Sequence, residues 1–401
     1  MTGTLAASAT LSPAAATGQE NQPGGFRILS APVLLNVGPD RVRVLVAVSG
    51  LATGIVEFGP TKSLGKSSES QNRGMRPISD RILQLDVTGL KPGTKYFYRV
   101  KTWPVHFANA YKIQRGEPIE TEIFSFRTLD PEADTATFTC WNDTHENAVS
   151  LSGLTELLQR NPTDFLLWNG DATNDINRQE RLVEQFISPA GKPFAASTPL
   201  FLGRGNHDVR GRDARFLADI ITGPEGRYYY AFRQGPLACL VMDTGEDKPD
   251  ATPVYAGLND FASYRTEQAR WLAEVIKQPW FRRAAFRVAF LHIPLVWETE
   301  IPAHWPGVWG AGIKGWICED GYNKWHDLLC KGKVDLVISG HTHQPAWFPA
   351  NRNRYYAQLI GGGPAPEQAL AITGRVTKKA MEIKLQNLQG ATVESYSFAK
   401  K

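Results

Sequence analysis

The sequence has few cysteines, no long apolar run and little excess charge. Its four cysteines, Cys140, Cys239, Cys318 and Cys330, show no CxxC spacing, so neither a disulfide framework nor a thiolate zinc site is indicated. Cys318 and Cys330 could pair in an oxidising compartment, and two free thiols explain them equally well. No stretch approaches the roughly 20 apolar residues that span a bilayer. A net charge of +4 gives no reason to expect a nucleic acid duplex as partner.

The first 25 residues also lack basic side chains, since no Lys or Arg precedes Arg27. They are rich in Ala, Thr, Ser and Gly. This composition is typical of a disordered tail or of a signal peptide whose basic start is missing. The second alternative predicts an exported protein, periplasmic or extracellular, whereas the first is compatible with a cytoplasmic one.

Residues 26–128 read as strands and turns. The run from Arg41 to Gly50 alternates, with valines at every second position, as a half-buried strand does. The segment GLKPGTKYFYRVKT resembles the fibronectin type III pattern, in which a tyrosine, here Tyr96, hydrogen-bonds back to the backbone at a sandwich corner. The alternative is some other small β-sandwich.

A second regime follows the polar, Pro-containing segment 129–135, which we interpret as an interdomain linker. In residues 136–401, short apolar runs alternate with helical segments, which predicts an α/β domain with a largely parallel sheet. In one of these helices Thr266 is a candidate N-cap. After Gly363 the pattern predicts antiparallel strands.

Polar side chains stand at the end of five apolar runs in this second domain. The motifs are Asp143-Thr-His145, Gly170-Asp171, Gly205-Asn206-His207-Asp208, His292-Ile-Pro294 and Gly340-His341-Thr-His343. Ligands of open α/β sheets bind beyond the carboxyl ends of the strands, so we expect these side chains in one crevice.

Histidine usage supports this prediction, because five of the eight histidines belong to these motifs. His106, His304 and His326 lie elsewhere, and we interpret them as structural. Carboxylate, imidazole and amide ligands without thiolate suit Zn, Mn, Fe or Co. The set is too large for one ion and about right for two that share Asp171. Two such ions with a bridging hydroxide would leave the positive charge that a phosphate ester needs.

The five motifs resemble those of the calcineurin-like metallophosphoesterases, and within them the purple acid phosphatase-like group that carries a fibronectin-like domain in front. The resemblance implies two packed mixed sheets flanked by helices. It implies that one metal is held by Asp143, His145, Asp171 and His343, and the other by Asp171, Asn206, His292 and His341. It further implies that His207 is not a ligand but stabilises the phosphoryl group or protonates the leaving oxygen, with Asp208 as its orienting partner.

One departure from the purple enzymes concerns the metal. Their GDxxY motif supplies a tyrosinate to a ferric ion, whereas Asn174 stands at that position here. We therefore expect two divalent or mixed-valence ions of Zn, Mn or Fe and no Fe(III)-tyrosinate. Asn174 is a candidate contact of the substrate phosphate or of a metal-bound water, and a structural role in a turn is the alternative.

Other candidate substrate contacts have an equally simple structural explanation. Arg204 is placed to pair with a phosphate oxygen, or is an ordinary loop arginine. Residues 297–322 contain four tryptophans in a long loop. His304, Trp305 and Trp309 either contact the leaving group or pack the loop down.

The leading hypothesis is hydrolysis of a phosphate mono- or diester of a small molecule by a hydroxide bridging two metal ions. A different class is a binding or adhesion protein that uses the fibronectin-like domain, with the metallo-domain as scaffold. A third keeps the two metals and assigns a pyrophosphate or nucleotide target.

Overall fold

The structure, a computed structural model, describes residues 25–300 and 317–400. The predicted N-terminal tail up to residue 24 lies outside these residues. The candidate contacts His304, Trp305 and Trp309 do so as well.

The N-terminal part of the described chain consists of strands joined by turns. They are β1 Val33–Leu35, β2 Arg41–Ala47, β3 Ala52–Gly59, β4 Lys66–Ser68, β5 Ile78–Ser79, β6 Ile82–Thr88, β7 Lys95–Asn109, β8 Lys112–Arg115, β9 Ile119–Glu120 and β10 Phe124–Arg127. Strands β1, β2 and β6 face a second sheet with the order β10, β7, β3, β4. Apolar side chains of both sheets form one buried core. The β-rich region therefore exists as expected.

A turn before β7 has the hydrogen bond that the sequence predicts. The backbone N–H of Lys91 donates to the hydroxyl oxygen of Tyr96 at 3.1 Å. This ties the start of β7 to the preceding turn. The assignment of the region to the fibronectin type III class stays a prediction.

The remaining strands and the helices form the α/β part. The strands are β11 Thr135–Trp141, β12 Phe165–Asn169, β13 Leu200–Gly203, β14 Tyr230–Gln234, β15 Leu237–Met242, β16 Phe286–Leu291, β17 Leu336–Ser339, β18 Ala346–Phe348, β19 Ala357–Ile360, β20 Ala371–Thr377, β21 Ala380–Gln386 and β22 Thr392–Ala399. The helices are α1 Ala148–Arg160, α2 Glu180–Leu182, α3 Phe261–Val275, α4 Pro279–Arg282 and α5 Glu319–Lys331. Short helical turns cover Val183–Ile187, Pro189–Gly191, His207–Val209, Ala214–Asp219, Pro224–Gly226 and Pro253–Tyr255.

Two mixed sheets pack against each other. Within the described chain, one has nine strands in the order β22, β21, β20, β11, β12, β13, β1, β2, β6, and the other has six in the order β14, β15, β16, β17, β19, β18. Phe138 and Phe290 meet edge to face across the interface, with ring centroids 5.4 Å apart. Helix α1 packs on the outer face of the larger sheet, and α3 and α5 pack on that of the smaller. This is a mixed α/β fold with several sheets.

The larger sheet runs across the predicted domain boundary. Strand β1 pairs in parallel with β13 through Leu35 and Leu200. In the predicted linker, Leu129 is buried in the core between the two mixed sheets, and the N–H of Asp130 donates to Gln234 Oε1 at 2.7 Å. The segment is thus packed against the α/β part, and the boundary itself stays a prediction.

Helix α3 begins earlier than the sequence suggested, so the prediction of Thr266 as N-cap was wrong. Asp260 is the cap, and its carboxylate accepts from the N–H of Ser263 at 3.3 Å. Thr266 lies inside the helix and its hydroxyl donates to the carbonyl of Ala262 at 2.9 Å. A threonine can bond back along a helix in this way instead of starting one.

Cys318 and Cys330 are both free thiols. Across residues 25–300 and 317–400, no helix is both long enough and apolar enough to cross a membrane.

Candidate metal centre

Five strand ends bring the predicted ligands together. Strands β11, β12 and β13 are parallel neighbours in the larger sheet, and β16 and β17 are parallel neighbours in the smaller. The loops that follow these strands converge at one edge of the two packed sheets. Three groups of side chains have ligand atoms within 4.8 Å of one another: Asp143 with His145 and His343, His145 with Asp171 and His207, and Asp171 with His292 and His341.

Asp171 lies between the two outer groups. Its Oδ2 is 3.4 Å from His145 Nε2 and 3.1 Å from His292 Nε2. His343 Nε2 is 3.1 Å from His145 Nε2 and 3.5 Å from Asp143 Oδ1. Asp171 is therefore within reach of both outer groups, and its sharing between two ions stays a prediction.

The remaining predicted ligand, Asn206, lies beside the second group. Its Oδ1 is 2.9 Å from His341 Nδ1. Asn206 and Asp171 are almost completely buried, each about 1% exposed. The second group is therefore the more enclosed of the two.

Several residues at this edge have backbone conformations that residues other than glycine rarely adopt. Positive φ angles occur at five of the seven predicted ligands, namely Asp143, His145, Asp171, His341 and His343. Such strain persists where the surrounding structure imposes it, and it clusters at functional sites.

Glycines of the motifs allow the loops to approach closely. A Cβ atom at Gly205 would lie 2.2 Å from Asp171 Oδ1, and one at Gly340 would lie 2.2 Å from Asp143 Oδ2. Each glycine is required because a carboxylate of another loop occupies the space of its side chain.

The buried ring of His292 tests whether metal ions fit. Its Nδ1 is 3.0 Å from the carbonyl oxygen of Asn169, which can only accept, so Nδ1 carries the hydrogen. Its Nε2 is fully buried and faces Asp171 Oδ2 at 3.1 Å. A buried ring nitrogen this close to a carboxylate needs a cation between them, either a proton or a metal ion, so the residues fit a metal site.

The charges in this crevice are strongly coupled. Burial lowers the pKa of His292, but the carboxylates of Asp171 and Asp143 outweigh it and raise this pKa to about 10. Burial raises the pKa of each carboxyl, and the neighbouring histidines, His292 above all, bring both below their ordinary value. Without a metal ion, both carboxylates are thus ionised and His292 is protonated at neutral pH. A bound metal ion would take the place of the Nε2 proton and use the two carboxylates as ligands.

His207 lies beside the first group and has two defined partners. Its Nδ1 is 2.8 Å from the carbonyl oxygen of Asn174, and its Nε2 is 3.0 Å from Nη1 of Arg210. A carbonyl accepts and a guanidinium donates, so the hydrogen is on Nδ1 and the lone pair is on Nε2. The N–H of His207 donates to Asp171 Oδ1 at 2.9 Å.

Asp208 does not orient His207, which corrects that expectation. The Asp208 carboxylate accepts from the N–H of Gly205 at 2.8 Å and of Asp171 at 3.0 Å. It also accepts from those of Ala172 and Thr173 at 3.1 and 3.3 Å. Buried among these four donors, Asp208 joins the loops that follow β12 and β13.

Arg204 also points elsewhere than predicted. Its Nη2 is 2.6 Å from Asp243 Oδ2, and its guanidinium lies 4.1 Å from the ring centre of Tyr228. The side chain is thus committed to a buried ion pair. Asn174 is exposed and contacts the ring of His145, with its Oδ1 3.1 Å from Nδ1.

Sequence reasoning missed Arg210 and the acidic residues that hold it. Glu246 Oε2 and Asp247 Oδ1 lie 2.8 and 3.0 Å from Arg210 Nη2. The two acids follow β15, another apolar run with polar residues at its carboxyl end, so the pattern that found the other motifs could have found this one. Arg210 stands three positions after His207, which places it one helical turn away.

Comparisons with known proteins identify the family of the α/β part. A family model of calcineurin-like phosphoesterases matches residues 136–345. A protein described as "Probable purple acid phosphatase 20" from Arabidopsis thaliana is 24% identical over 312 residues, covering 77% of this chain and 66% of the plant protein. The chain thus spans about two thirds of this relative's length.

Two solved structures share the fold. A purple acid phosphatase, PPD1, from yellow lupin (Lupinus luteus) seeds superposes with a TM-score of 0.67 at 13% identity, covering 92% of this chain and 74% of that one. A structure of PhoD gives a TM-score of 0.62 at 11% identity, covering 94% and 92% of the two chains. At these identities the likeness concerns the fold alone.

Proposed function

Because the chain belongs to the calcineurin-like phosphoesterases, we propose that it is an enzyme that hydrolyses a phosphate mono- or diester of a small molecule with two bound metal ions. The observation that carries this proposal is the buried Nε2 of His292, which faces the Asp171 carboxylate at the meeting point of the five motif loops.

The two metal ions would share Asp171. One would be held by Asp143, His145, Asp171 and His343, and the other by Asp171, Asn206, His292 and His341. The short distances between the ligand atoms of each group support this division. When bound, such a pair of ions lowers the pKa of a water molecule and withdraws negative charge from a phosphoryl group.

Arg210 is proposed as the residue that binds a phosphoryl oxygen. Its Nε and Nη2 are held by Glu246, with distances of 3.0 and 2.8 Å, which aims Nη1 at His207. A guanidinium held in this way is preorganised to donate to an anion. His207 can protonate a leaving oxygen only after its Nε2 gains a proton and releases Arg210.

The ions would be divalent or mixed-valence Zn, Mn or Fe without a tyrosinate ligand. Asn174 occupies the position of the purple enzymes' tyrosine and offers an amide in place of a phenolate. The iron-loaded protein should therefore lack the visible absorption band of an Fe(III)-tyrosinate.

For the N-terminal part we propose a fibronectin type III-like sandwich, supported by its two facing sheets and by the hydrogen bond to Tyr96. Export stays a prediction from the N-terminal composition. No described contact specifically supports a purely adhesive role. A protein that used the metallo-domain only as a scaffold would not need the complete set of predicted ligands.

Metal removal tests the proposal. The chelator-stripped protein should not turn over p-nitrophenyl phosphate or its bis-ester, and reloading with Mn, Zn or Fe should restore the rate. His292→Ala should abolish this recovery, whereas the exposed His106→Ala serves as a matched control and should retain it. The ratio of the two rates assigns the monoester or diester class.

The contrary outcome is equally clear. If the metal-loaded protein hydrolyses neither ester, the proposal for simple esters fails, and a pyrophosphate or nucleotide is tested next. If those also fail, the binding-protein alternative takes its place.

A further inference from the structure

We propose that Asn174 is a positioning residue of the metal centre: its side-chain amide fixes the ring of His145 so that Nε2 is left bare for a metal ion. The inference rests on the proposed two-metal site. It replaces both roles considered from the sequence, contact with substrate and a simple turn.

Two contacts fix the orientation of the Asn174 amide. Its Nδ2 is 3.3 Å from the backbone carbonyl oxygen of His145, and its Oδ1 is 3.1 Å from the ring Nδ1 of the same residue. A carbonyl oxygen only accepts, so the NH2 group must face it. The amide oxygen therefore faces the ring, and the hydrogen of the ring must be on Nδ1.

The other ring nitrogen then has no hydrogen. His145 Nε2 lies 3.1 Å from His343 Nε2 and 3.4 Å from Asp171 Oδ2, two atoms of the proposed ligand set. Ligand histidines ordinarily donate their second N–H to an oxygen, which fixes the tautomer and the ring orientation. Asn174 supplies that oxygen here.

Asn174 is itself held in place by hydrogen bonds centred on Glu146. Its N–H donates to Glu146 Oε1 at 2.8 Å. Glu146 also accepts from the Thr173 hydroxyl and from Arg181. Since Glu146 directly follows His145, these hydrogen bonds join the loop after β11 to the loop after β12. The amide therefore approaches the ring from a defined direction.

The backbone and side chain of Asn174 serve different histidines. Its carbonyl oxygen accepts from His207 Nδ1 at 2.8 Å, whereas only its side chain contacts the ring of His145. A substitution at position 174 therefore perturbs His145 and leaves the partner of His207 in place. This separation makes the inference testable.

The test is a calorimetric titration of the chelator-stripped, full-length protein with Mn²⁺. Asn174→Ala should bind one of two ions about 10–100-fold more weakly, the usual effect of removing such an outer partner. Asn174→Asp should retain most of the affinity, because a carboxylate oxygen also accepts from Nδ1. At saturating Mn²⁺, Asn174→Ala should recover most of its kcat with an unchanged KM.

Asn177→Ala is the matched control. This asparagine lies in the same loop, and its side chain contacts Asp175 and the backbone of Arg212, not a predicted ligand. Both Mn²⁺ affinities should equal those of the wild type.

Three results would overturn the inference. Unchanged binding of both ions by Asn174→Ala would show that the amide does not position His145. A raised KM with unchanged metal affinity would show that Asn174 contacts the substrate instead. Equal weakening at both sites, with a lower unfolding temperature of the metal-free protein, would assign a general structural role. If the wild type binds two ions but hydrolyses no ester, the proposed function fails while this inference stands.

Discussion

Arg204 illustrates how a single residue can be misjudged from its position beside a motif. The Asp243 carboxylate it pairs with is completely buried, and the guanidinium stacks on Tyr228. Removing one partner of a buried ion pair leaves the other charge uncompensated. Arg204 therefore supports the fold beneath the site.

Arg204→Ala should lower the free energy of unfolding by about 3–5 kcal/mol. Urea denaturation monitored by tryptophan fluorescence would measure this loss. Arg178→Ala is the control, because Arg178 and Glu184 form a pair that is half exposed on both sides, with 50% and 49% of the side chains accessible. Its effect should stay below about 1 kcal/mol. Wild-type stability with a raised KM for Arg204→Ala would instead support phosphate binding.

At the residue scale the sequence predicted which side chains cluster in the crevice. It did not predict which hydrogen bonds the surrounding residues make. Asp143 and His145 could be found because their types follow a strand in a fixed pattern. The partners of Asp208 and Asn174 depend on loop backbones with positive φ, as at Asp171. Local sequence does not specify these conformations, because the contacts of several loops impose them.

At the scale of elements, the strand ends act through the loops that follow them. Gly340 follows β17 by one residue, and its N–H donates to the carbonyl of His292 at 2.9 Å. A methyl group there would fall 2.2 Å from Asp143 Oδ2. The loop after β17 must then move away from the loop after β11.

Gly340→Ala should therefore separate ligands that belong to different strands. Displacement of about 1 Å commonly reduces a rate by about 100-fold, so we expect a loss of that order in kcat/KM. Mn²⁺ binding should weaken in the same titration. Gly50→Ala is the control, because a Cβ at Gly50 would meet nothing within 4 Å. Full activity of Gly340→Ala would mean that the loops tolerate a wider separation.

Elements of the α/β part were largely predictable, and their exact ends were not. Five apolar runs with polar ends correspond to β11, β12, β13, β16 and β17. The start of α3 was missed because Asp260, its cap, precedes residues without a clear apolar period. Its buried face includes Arg265 and Gln268, which hydrogen-bond to backbone atoms around Asp243 and Thr244. A pattern based on apolar spacing cannot detect such a face.

At the scale of the molecule, the sequence predicted two parts and missed how they join. Strand β1 has three residues, and its parallel partner β13 lies far along the chain. No local sequence pattern therefore predicts that the two strands pair. The N–H of Leu34 also donates to the carbonyl of Ala195 at 3.0 Å. The buried Tyr98 hydroxyl donates to the carbonyl of Ala196 at 2.7 Å. The two parts are therefore joined by strand pairing and by buried hydrogen bonds, as the elements of a single domain are.

A substitution in the N-terminal core should therefore destabilise the metal centre as well. Leu85 is completely buried among the strands of that core. Leu85→Ala should cost about 2–5 kcal/mol, as cavities of this kind do. Because the larger sheet crosses the junction, calorimetry should show one transition that moves to lower temperature. The temperature at which the proposed phosphoesterase activity is lost should fall with it.

Leu29→Ala separates this effect from a general consequence of mutation in the same region. Leu29 is 49% exposed, so its truncation should leave the transition almost unchanged. Two transitions, of which only the first responds to Leu85→Ala, would show that the parts unfold independently. In that case the pairing of β1 with β13 would contribute too little free energy to couple them, and the predicted boundary at residues 129–135 would mark two autonomous domains.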